Sequence, residues 1–309
     1  MVRRLVRAAL RVDPWQDGHE DDSPPTRGNM SILSLPIYDR VTRANVDALL
    51  QGEALAIWIR GFIGVDHCDH IYEQVRMAPL EPLLVHYTRE DGTADYHTHA
   101  NVLRVSDDHQ LDGYFELLGA AGAPDAQQEA VQAIMKEYLS SVDKANDTNN
   151  RLCAPYRRPC DVLFDHLDDT CGIKVAEYNG IKMKFGTFLL NEKSPDFDNP
   201  ATIPIHVDSV PSLLFPRLQA QLGAMVYCRV PNVGGELRVY DHPLIPRDAP
   251  MPPYLDHSYA YRSLKPCTGD AILINSRRPH AVLPGKDDDR LANIMFIGSD
   301  GSRPLSIWT

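Results

Sequence analysis

The sequence predicts a mainly β protein with flanking helices, the β portion forming a jelly roll. Eight short strand-like runs follow one another from Gly180 onward, separated by Gly, Pro, Asn and Asp, and that spacing fits an all-β sandwich or closed barrel. Upstream, residues 125–142 repeat apolar positions at intervals of three and four, which marks an amphipathic helix rather than a strand. No internal repeat or low-complexity linker divides the 309 residues, enough chain to bury one full core.

Taken in order, residues 1–29 open with a basic stretch whose apolar portion is interrupted by Arg7 and Arg11, and continue into Q-D-G-H-E-D-D-S-P-P-T-R-G. No secretory apolar region follows, so this stretch reads as a disordered or loosely attached extension, with Met30 as an alternative start. S-I-L-S-L-P-I-Y is extended. T-R-A-N-V-D-A-L-L-Q opens a helix capped by Thr42, A-L-A-I-W-I-R-G-F is a strand, and V-D-H-C-D-H-I-Y-E-Q-V-R is a helix with Asp66 near its start. Residues 80–105 read as irregular, and 108–150 as two helices. The second of these presents Ala130, Val131, Ile134, Met135, Tyr138, Leu139 and Val142 as one buried stripe that braces the outer face of the major sheet. The β runs are I-K-M-K-F-G-T-F-L-L, T-I-P-I-H-V-D, A-M-V-Y-C-R-V, G-E-L-R-V-Y-D, H-S-Y-A-Y-R-S-L, A-I-L-I-N-S, H-A-V-L-P and L-A-N-I-M-F-I-G. Gly234 and Gly235 supply a tight turn that a Cβ would obstruct. The division is helical support over 30–175 and a jelly-roll core over 176–309, within a single domain of residues 30–309.

The formal net charge is −11 and no extended Lys/Arg block is present, which argues against a nucleic-acid partner held through phosphates. No apolar run reaches the roughly 18 residues of a membrane span. Cys68, Cys153, Cys160, Cys171, Cys228 and Cys267 form no C-x-x-C pair, so they read as reduced, mostly buried thiols of a cytoplasmic protein. The expectation is a protein acting on small molecules without nucleic-acid or membrane partners, its oligomeric state open.

Chemistry concentrates in I-P-I-H-V-D. On an extended strand His206 and Asp208, at i and i+2, leave the same face and can grip one ion. His280, in I-N-S-R-R-P-H, lies 74 positions beyond His206, so only a fold that returns this segment to the first strand can add a third ligand. Two imidazoles and one carboxylate on one side of an ion leave the other side open, the arrangement of non-heme Fe(II) oxygenases. Zinc on the same ligands would make a hydrolytic site. Arg290 favours iron, because its planar fork pairs bidentately with a carboxylate and suits the far end of 2-oxoglutarate.

The pattern H-x-D, a long gap, H and an Arg ten residues later resembles the Fe(II)/2-oxoglutarate-dependent dioxygenase superfamily over roughly residues 181–308. A closer likeness to its bacterial small-molecule hydroxylase and halogenase branch rests on G-G-E-L-R-V-Y-D, A-T-I-P-I-H-V-D and the closing W-T. The resemblance implies a double-stranded β-helix core, metal ligation by His206, Asp208 and His280, and Fe(II), 2-oxoglutarate and O2 as cofactor and co-substrates. It further implies hydroxylation of an unactivated C–H bond of a small metabolite, an amino acid derivative or natural-product intermediate, with release of succinate and CO2. The family pattern R-x-S/T reads Arg290-Leu291-Ala292 here, so another donor, Thr187 or Asn293, has to assist Arg290. Halogenases of the superfamily carry Gly or Ala where this chain has Asp208, which favours hydroxylation.

Other residues admit two readings each. Arg238 either contacts substrate or lies on a solvated strand face. Arg277 either approaches the open side of the metal or pairs with Asp287 to Asp289. His97 and His99 at strand spacing resemble half of a metal site but lack a third ligand, and read as part of a lid loop over residues 83–105 or as surface residues; a second long loop, Pro243 to His257, is of the kind that covers an active site. His166, His242 and His257 read as structural or exposed. The alternative function is a redox-inert, metal-binding cupin-like protein, either a hydrolase or a ligand sensor.

Overall fold

A computed structural model describes residues 31–88, 94–106, 124–194, 203–208, 210, 214–247, 249, 252, 255 and 259–309. The expected extension over 1–29, the first helix of 108–150 and His257 lie outside the described residues, as do the side chains of His97 and His99.

Two sheets carry the fold. The eight predicted β runs supply β8 (Thr187–Asn191), β9 (Ile203–His206), β10 (Ala220–Arg229), β11 (Leu237–Tyr240), β12 (Tyr261–Leu264), β13 (Ala271–Asn275), β14 (His280–Val282) and β15 (Arg290–Ser299). They divide between a minor sheet, ordered β12-β11-β14-β9, and the centre of a major one, ordered β13-β10-β15-β8. This is the jelly roll that the strand count predicts, with all these neighbours antiparallel.

Residues 30–175 do more than provide helical support. β1 (Ile37–Tyr38) and β2 (Ala56–Ile59) extend the major sheet beyond β13, while β3 (Leu80–Thr88) and β4 (Ala94–Val105) extend it beyond β8. The stretch read as irregular is therefore a pair of long antiparallel strands. Pro82 obscured it, because a proline argues against a central strand; β3 takes the sheet edge, and its register shifts between Pro82 and Leu83. β5 (Ile173–Val175) and β16 (Leu305–Trp308) pair with each other, and β16 also joins β15. The run I-K-M-K-F-G-T-F-L-L is broken: β6 (Glu177–Tyr178) and β7 (Ile181–Lys182) form a small hairpin, and β8 begins only after Gly186, whose φ is 86°.

Strand alternation divides the interior in two. Leu222, Ala224 and Val226 of β10, Phe188 and Leu190 of β8, and Leu291, Met295 and Ile297 of β15 form the outer face of the major sheet. They pack against Ile71 and Val75 of α2 (Val65–Met77) and Leu163 and Leu167 of α4 (Pro159–Cys171). Helix α1 (Arg43–Leu50) adds Val46 and Leu49 and is capped by Thr42, whose hydroxyl accepts from Asn45 N–H, as the sequence indicates. The opposite residues, Tyr227, Ile272, Ile274 and Ala292, face Leu237, Val239, Leu264 and Val282 of the minor sheet.

Helix α3 (Pro124–Cys153) departs from expectation. Val131, Met135, Tyr138 and Val142 are buried as the periodicity requires, but they pack with Met183, Leu214 and Trp308 and against Phe215 and Phe296. Trp308 and Phe296 lie on the face of β15–β16 opposite Ile307 and Ile297, so the stripe covers the inner side of the sheet rather than the outer one. A 3.6-residue period identifies the buried side of a helix but not the surface it meets.

At the predicted glycine turn, φ is 82° at Gly234 and 74° at Gly235, and a Cβ on Gly235 would lie 2.7 Å from Pro231 Cγ. All six cysteines are free and five are buried, Cys267 being exposed. Among the described residues, no helix is long and apolar enough to cross a membrane.

Candidate active site

The two candidate histidines, far apart in sequence, are direct cross-strand partners. His206 ends β9, His280 begins β14, and the antiparallel register places them opposite each other, with ring centroids 4.2 Å apart. Both side chains enter the inter-sheet space, since His280 shares its strand face with the core residue Val282.

Asp208 lies two residues past the end of β9, so it reaches the same point from a loop rather than from a ladder. Its carboxylate Oδ1 is 3.6 Å from His206 Nε2 and its Oδ2 is 3.3 Å from His280 Nε2. One donor atom from each residue falls within 4.8 Å of the others; among the described residues, no other group of three His, Cys, Asp or Glu does this.

The site has a buried and an accessible side. The His280 side chain is 5% exposed, against 24% for His206 and 30% for Asp208. His280 Nδ1 is 2.9 Å from the Arg278 carbonyl; donation to that oxygen directs Nε2 toward the site, the tautomer a metal ligand needs. Burial opposes ionisation of Asp208, but the hydrogen bond and charge of His280 outweigh it and hold the carboxyl below its usual range. Burial likewise disfavours protonated His280, and the Asp208 bond and charge overcome this, raising the imidazole pKa. A carboxylate gripping two imidazoles is a set of donors that a divalent cation can take over from the protons.

Arg290, the first residue of β15, is buried on the inner face it shares with Ala292. Its cross-strand partner is Asn191, whose Oδ1 is 3.5 Å from Arg290 Nη1, and its guanidinium lies 4.9 Å above the ring of Tyr227. Burial pushes the Tyr227 hydroxyl upward, partly offset by the charge and hydrogen bond of Arg290. Among the described residues, Arg290 Nε and Asn191 Nδ2 are buried donors without a hydrogen-bond partner. Orphaned donors beside a buried cation are costly unless an anion completes them, so this cradle fits the distal carboxylate of 2-oxoglutarate.

Asn191 and Tyr227 were not anticipated. The signal for Asn191 is a polar residue directly after the apolar run T-F-L-L; nothing in A-M-V-Y-C-R-V singles out Tyr227.

Of the two helpers expected for Arg290, Thr187 lies on the right face, sharing it with Asn191, but its hydroxyl accepts from Lys184 Nζ at 2.9 Å and its cross-strand partner is Ile294. Asn293 is on the wrong face. Three residues from Arg290 on one strand, it points toward the helices, where its Oδ1 accepts from Cys160 N–H at 3.0 Å in the first turn of α4. Asn293→Ala is accordingly expected to cost about 1–2 kcal/mol of stability through that lost cap, measured by chemical denaturation, with the apparent affinity for 2-oxoglutarate unchanged.

The two substrate candidates also lie elsewhere. Arg238 is on the outward face of the minor sheet, opposite Leu237 and Val239, and stacks 4.3 Å over Tyr261. Arg277 donates to the carbonyls of Ile245 (Nε 3.0 Å, Nη2 2.8 Å) and Gln219 (Nη1 3.2 Å), tying two loops together. The alternative partners proposed for Arg277 are engaged otherwise: Asp287 with Asn232 and Val233, Asp288 with Arg229, and Asp289 with Tyr72 and Lys193 N–H. His242 Nδ1 contacts the Pro243 carbonyl, and exposed His166 meets the edge of Phe62, consistent with structural roles.

No family model matches the sequence, and no curated protein matches it. Among solved structures, an N-substituted L-amino acid dioxygenase from Burkholderia ambifaria AMMD superposes with a TM-score of 0.52 at 16% identity, over 86% of this chain and 91% of that one. This chain shares the dioxygenase's fold. More distant likenesses, both with a TM-score of 0.42 at 12% identity, are to AviO1 from Streptomyces viridochromogenes Tue57 (81% of this chain, 92% of that one) and to HygX from Streptomyces hygroscopicus with nickel, 2-oxoglutarate and hygromycin B bound (83% and 86%).

Proposed function

We propose that the protein is an Fe(II)- and 2-oxoglutarate-dependent oxygenase that hydroxylates a C–H bond of a small metabolite in the cytoplasm, residues 30–309 acting as one catalytic unit. The observation that carries this reading is the convergence of two imidazoles and one carboxylate within 4.8 Å, in the same inter-sheet space as a buried arginine whose Nε has no hydrogen-bond partner among the described residues.

In this reading His206, Asp208 and His280 hold the metal from one side and leave the other for co-substrate and O2. Arg290 receives the distal carboxylate of 2-oxoglutarate, Asn191 adds a donor, and the Tyr227 ring walls the guanidinium from water. The buried surroundings strengthen that charge pairing and exclude solvent from the reaction. Bound together, Fe(II) and 2-oxoglutarate supply the oxidising power, with conversion of the co-substrate to succinate and CO2. The amino acid dioxygenase whose fold the chain shares makes amino acid derivatives the first substrates to test.

The test is aerobic incubation with Fe(II), 2-oxoglutarate and a panel of amino acids, N-substituted amino acids and natural-product intermediates. Succinate release that rises with one substrate class, together with a product heavier by one oxygen atom, supports hydroxylation. A hydrolysed product without succinate, or metal-dependent ligand binding without turnover, would instead support the redox-inert reading.

A further inference from the structure

His206 and His280 are fixed by the strand ladder, but Asp208 is beyond it, and the residues that position it come from the opposite sheet. The Asp208 carbonyl accepts from Gln221 Nε2 at 3.2 Å and from Ser276 Oγ at 3.1 Å, and Asp208 N–H donates to the Ser276 carbonyl at 2.9 Å. The same Gln221 side chain accepts from Val210 N–H at 3.0 Å through Oε1. Ser276 N–H in turn donates to the Gln221 carbonyl at 3.3 Å, so the two residues are linked to each other. Both are fully buried, Gln221 on β10 and Ser276 just after β13.

Gln221 thus spends its amide on both sides of one short segment, donating to residue 208 and accepting from residue 210. A neutral amide can do this and a carboxylate cannot, since an ionised carboxylate has no proton to donate. Between them Gln221 and Ser276 satisfy every main-chain polar group of Asp208 and the N–H of Val210. Gly223, next on the same face of β10, lies beside the carboxylate: a Cβ there would be 4.0 Å from Asp208 Oδ2, an ordinary van der Waals contact.

We infer that Gln221 and Ser276 are positioning residues for the metal site, fixing the Asp208 carboxylate against the two histidines from the major sheet. This inference rests on the oxygenase reading only in taking Asp208 as a metal ligand. Neither residue is one of the three candidate ligands; they act through the Asp208 main chain, as outer groups that orient a ligand do.

The test uses the full chain freed of metal and measures anaerobic Fe(II) affinity by equilibrium dialysis, alongside the melting temperature of the metal-free protein. Gln221→Met removes both amide bonds at similar length, and Ser276→Ala removes one hydroxyl bond. Each is expected to weaken Fe(II) binding about 10- to 100-fold, while the KM for 2-oxoglutarate at saturating iron stays within about two-fold. A lower melting temperature with Fe(II) affinity within about two-fold of the parent would show a merely structural role and overturn the inference. Should Gln221→Met fail to fold, Ser276→Ala, which loses one bond to an accessible-side loop, carries the same outcomes. His206→Ala serves as control. If the parent binds Fe(II) and His206→Ala does not, unchanged affinity in Gln221→Met and Ser276→Ala defeats this inference alone; a parent that binds no Fe(II) defeats the oxygenase reading with it.

Discussion

Asp208→Ala is expected to abolish substrate hydroxylation. The mutation removes the only anionic donor of the three and leaves two imidazoles 4.2 Å apart between ring centroids. Loss of a direct ligand exceeds the 10- to 100-fold penalty typical of outer-shell changes, so Fe(II) affinity should fall by more than about 100-fold, and turnover at limiting iron should disappear. The vacated position is open to chloride, so the product assay is run with and without halide. Normal turnover in Asp208→Ala would show that this carboxylate is not a ligand. The parent protein carries a related pH dependence. Asp208 raises the pKa of His280 in the metal-free state, so His280 must shed a proton to ligate, and Fe(II) affinity should increase as pH rises through that elevated value.

Arg290→Ala is expected to raise the KM for 2-oxoglutarate while sparing the metal. Truncating one partner of a buried, hydrogen-bonded charge pair costs about 2–4 kcal/mol, equivalent to about 30- to 1,000-fold in affinity. The guanidinium is on β15 and touches none of the three candidate ligands in the described contacts, so Fe(II) affinity should move by less than about two-fold. Asn191→Leu, which removes one uncharged donor from the same cradle, should have a smaller effect in the same direction, about five- to ten-fold. Titrations of 2-oxoglutarate and of Fe(II) on each variant separate the two sites. Equal losses of both affinities in Arg290→Ala would contradict the anchoring role.

How much of this the sequence carries depends on the physical scale of each feature. The eight core strands are legible because alternation and turn residues are local properties. His206, Asp208 and His280 are legible as a candidate cluster because few residue types ligate metals, and the 74 positions between the two histidines need only a sheet to close them. Face assignments are harder. Parity alone excludes Asn293 as a helper of Arg290, because an odd separation on one strand reverses direction. Arg238 required the register: Val239 pairs with His280 and faces inward, so Arg238 faces outward. The β3–β4 pair was hidden by Pro82, which argues against a central strand, even though His97 and His99 stand at strand spacing within β4. The Gln221 and Ser276 network could not be read from sequence at all, since it joins positions 13 and 68 residues from Asp208 through a handful of hydrogen bonds that no local pattern marks.

In the proposed enzyme His206, Asp208 and His280 hold one Fe(II) to which 2-oxoglutarate then binds, anchored by Arg290. Anaerobic addition of Fe(II) and 2-oxoglutarate to the metal-free protein, followed by visible absorption, distinguishes this arrangement from its alternatives. A weak metal-to-ligand charge-transfer band is expected that saturates at one Fe(II) per chain, is absent in His206→Ala, and in Arg290→Ala forms only at much higher 2-oxoglutarate. A protein that binds Fe(II) stoichiometrically yet gives no such band at any 2-oxoglutarate concentration, or a band that survives in His206→Ala, would contradict it.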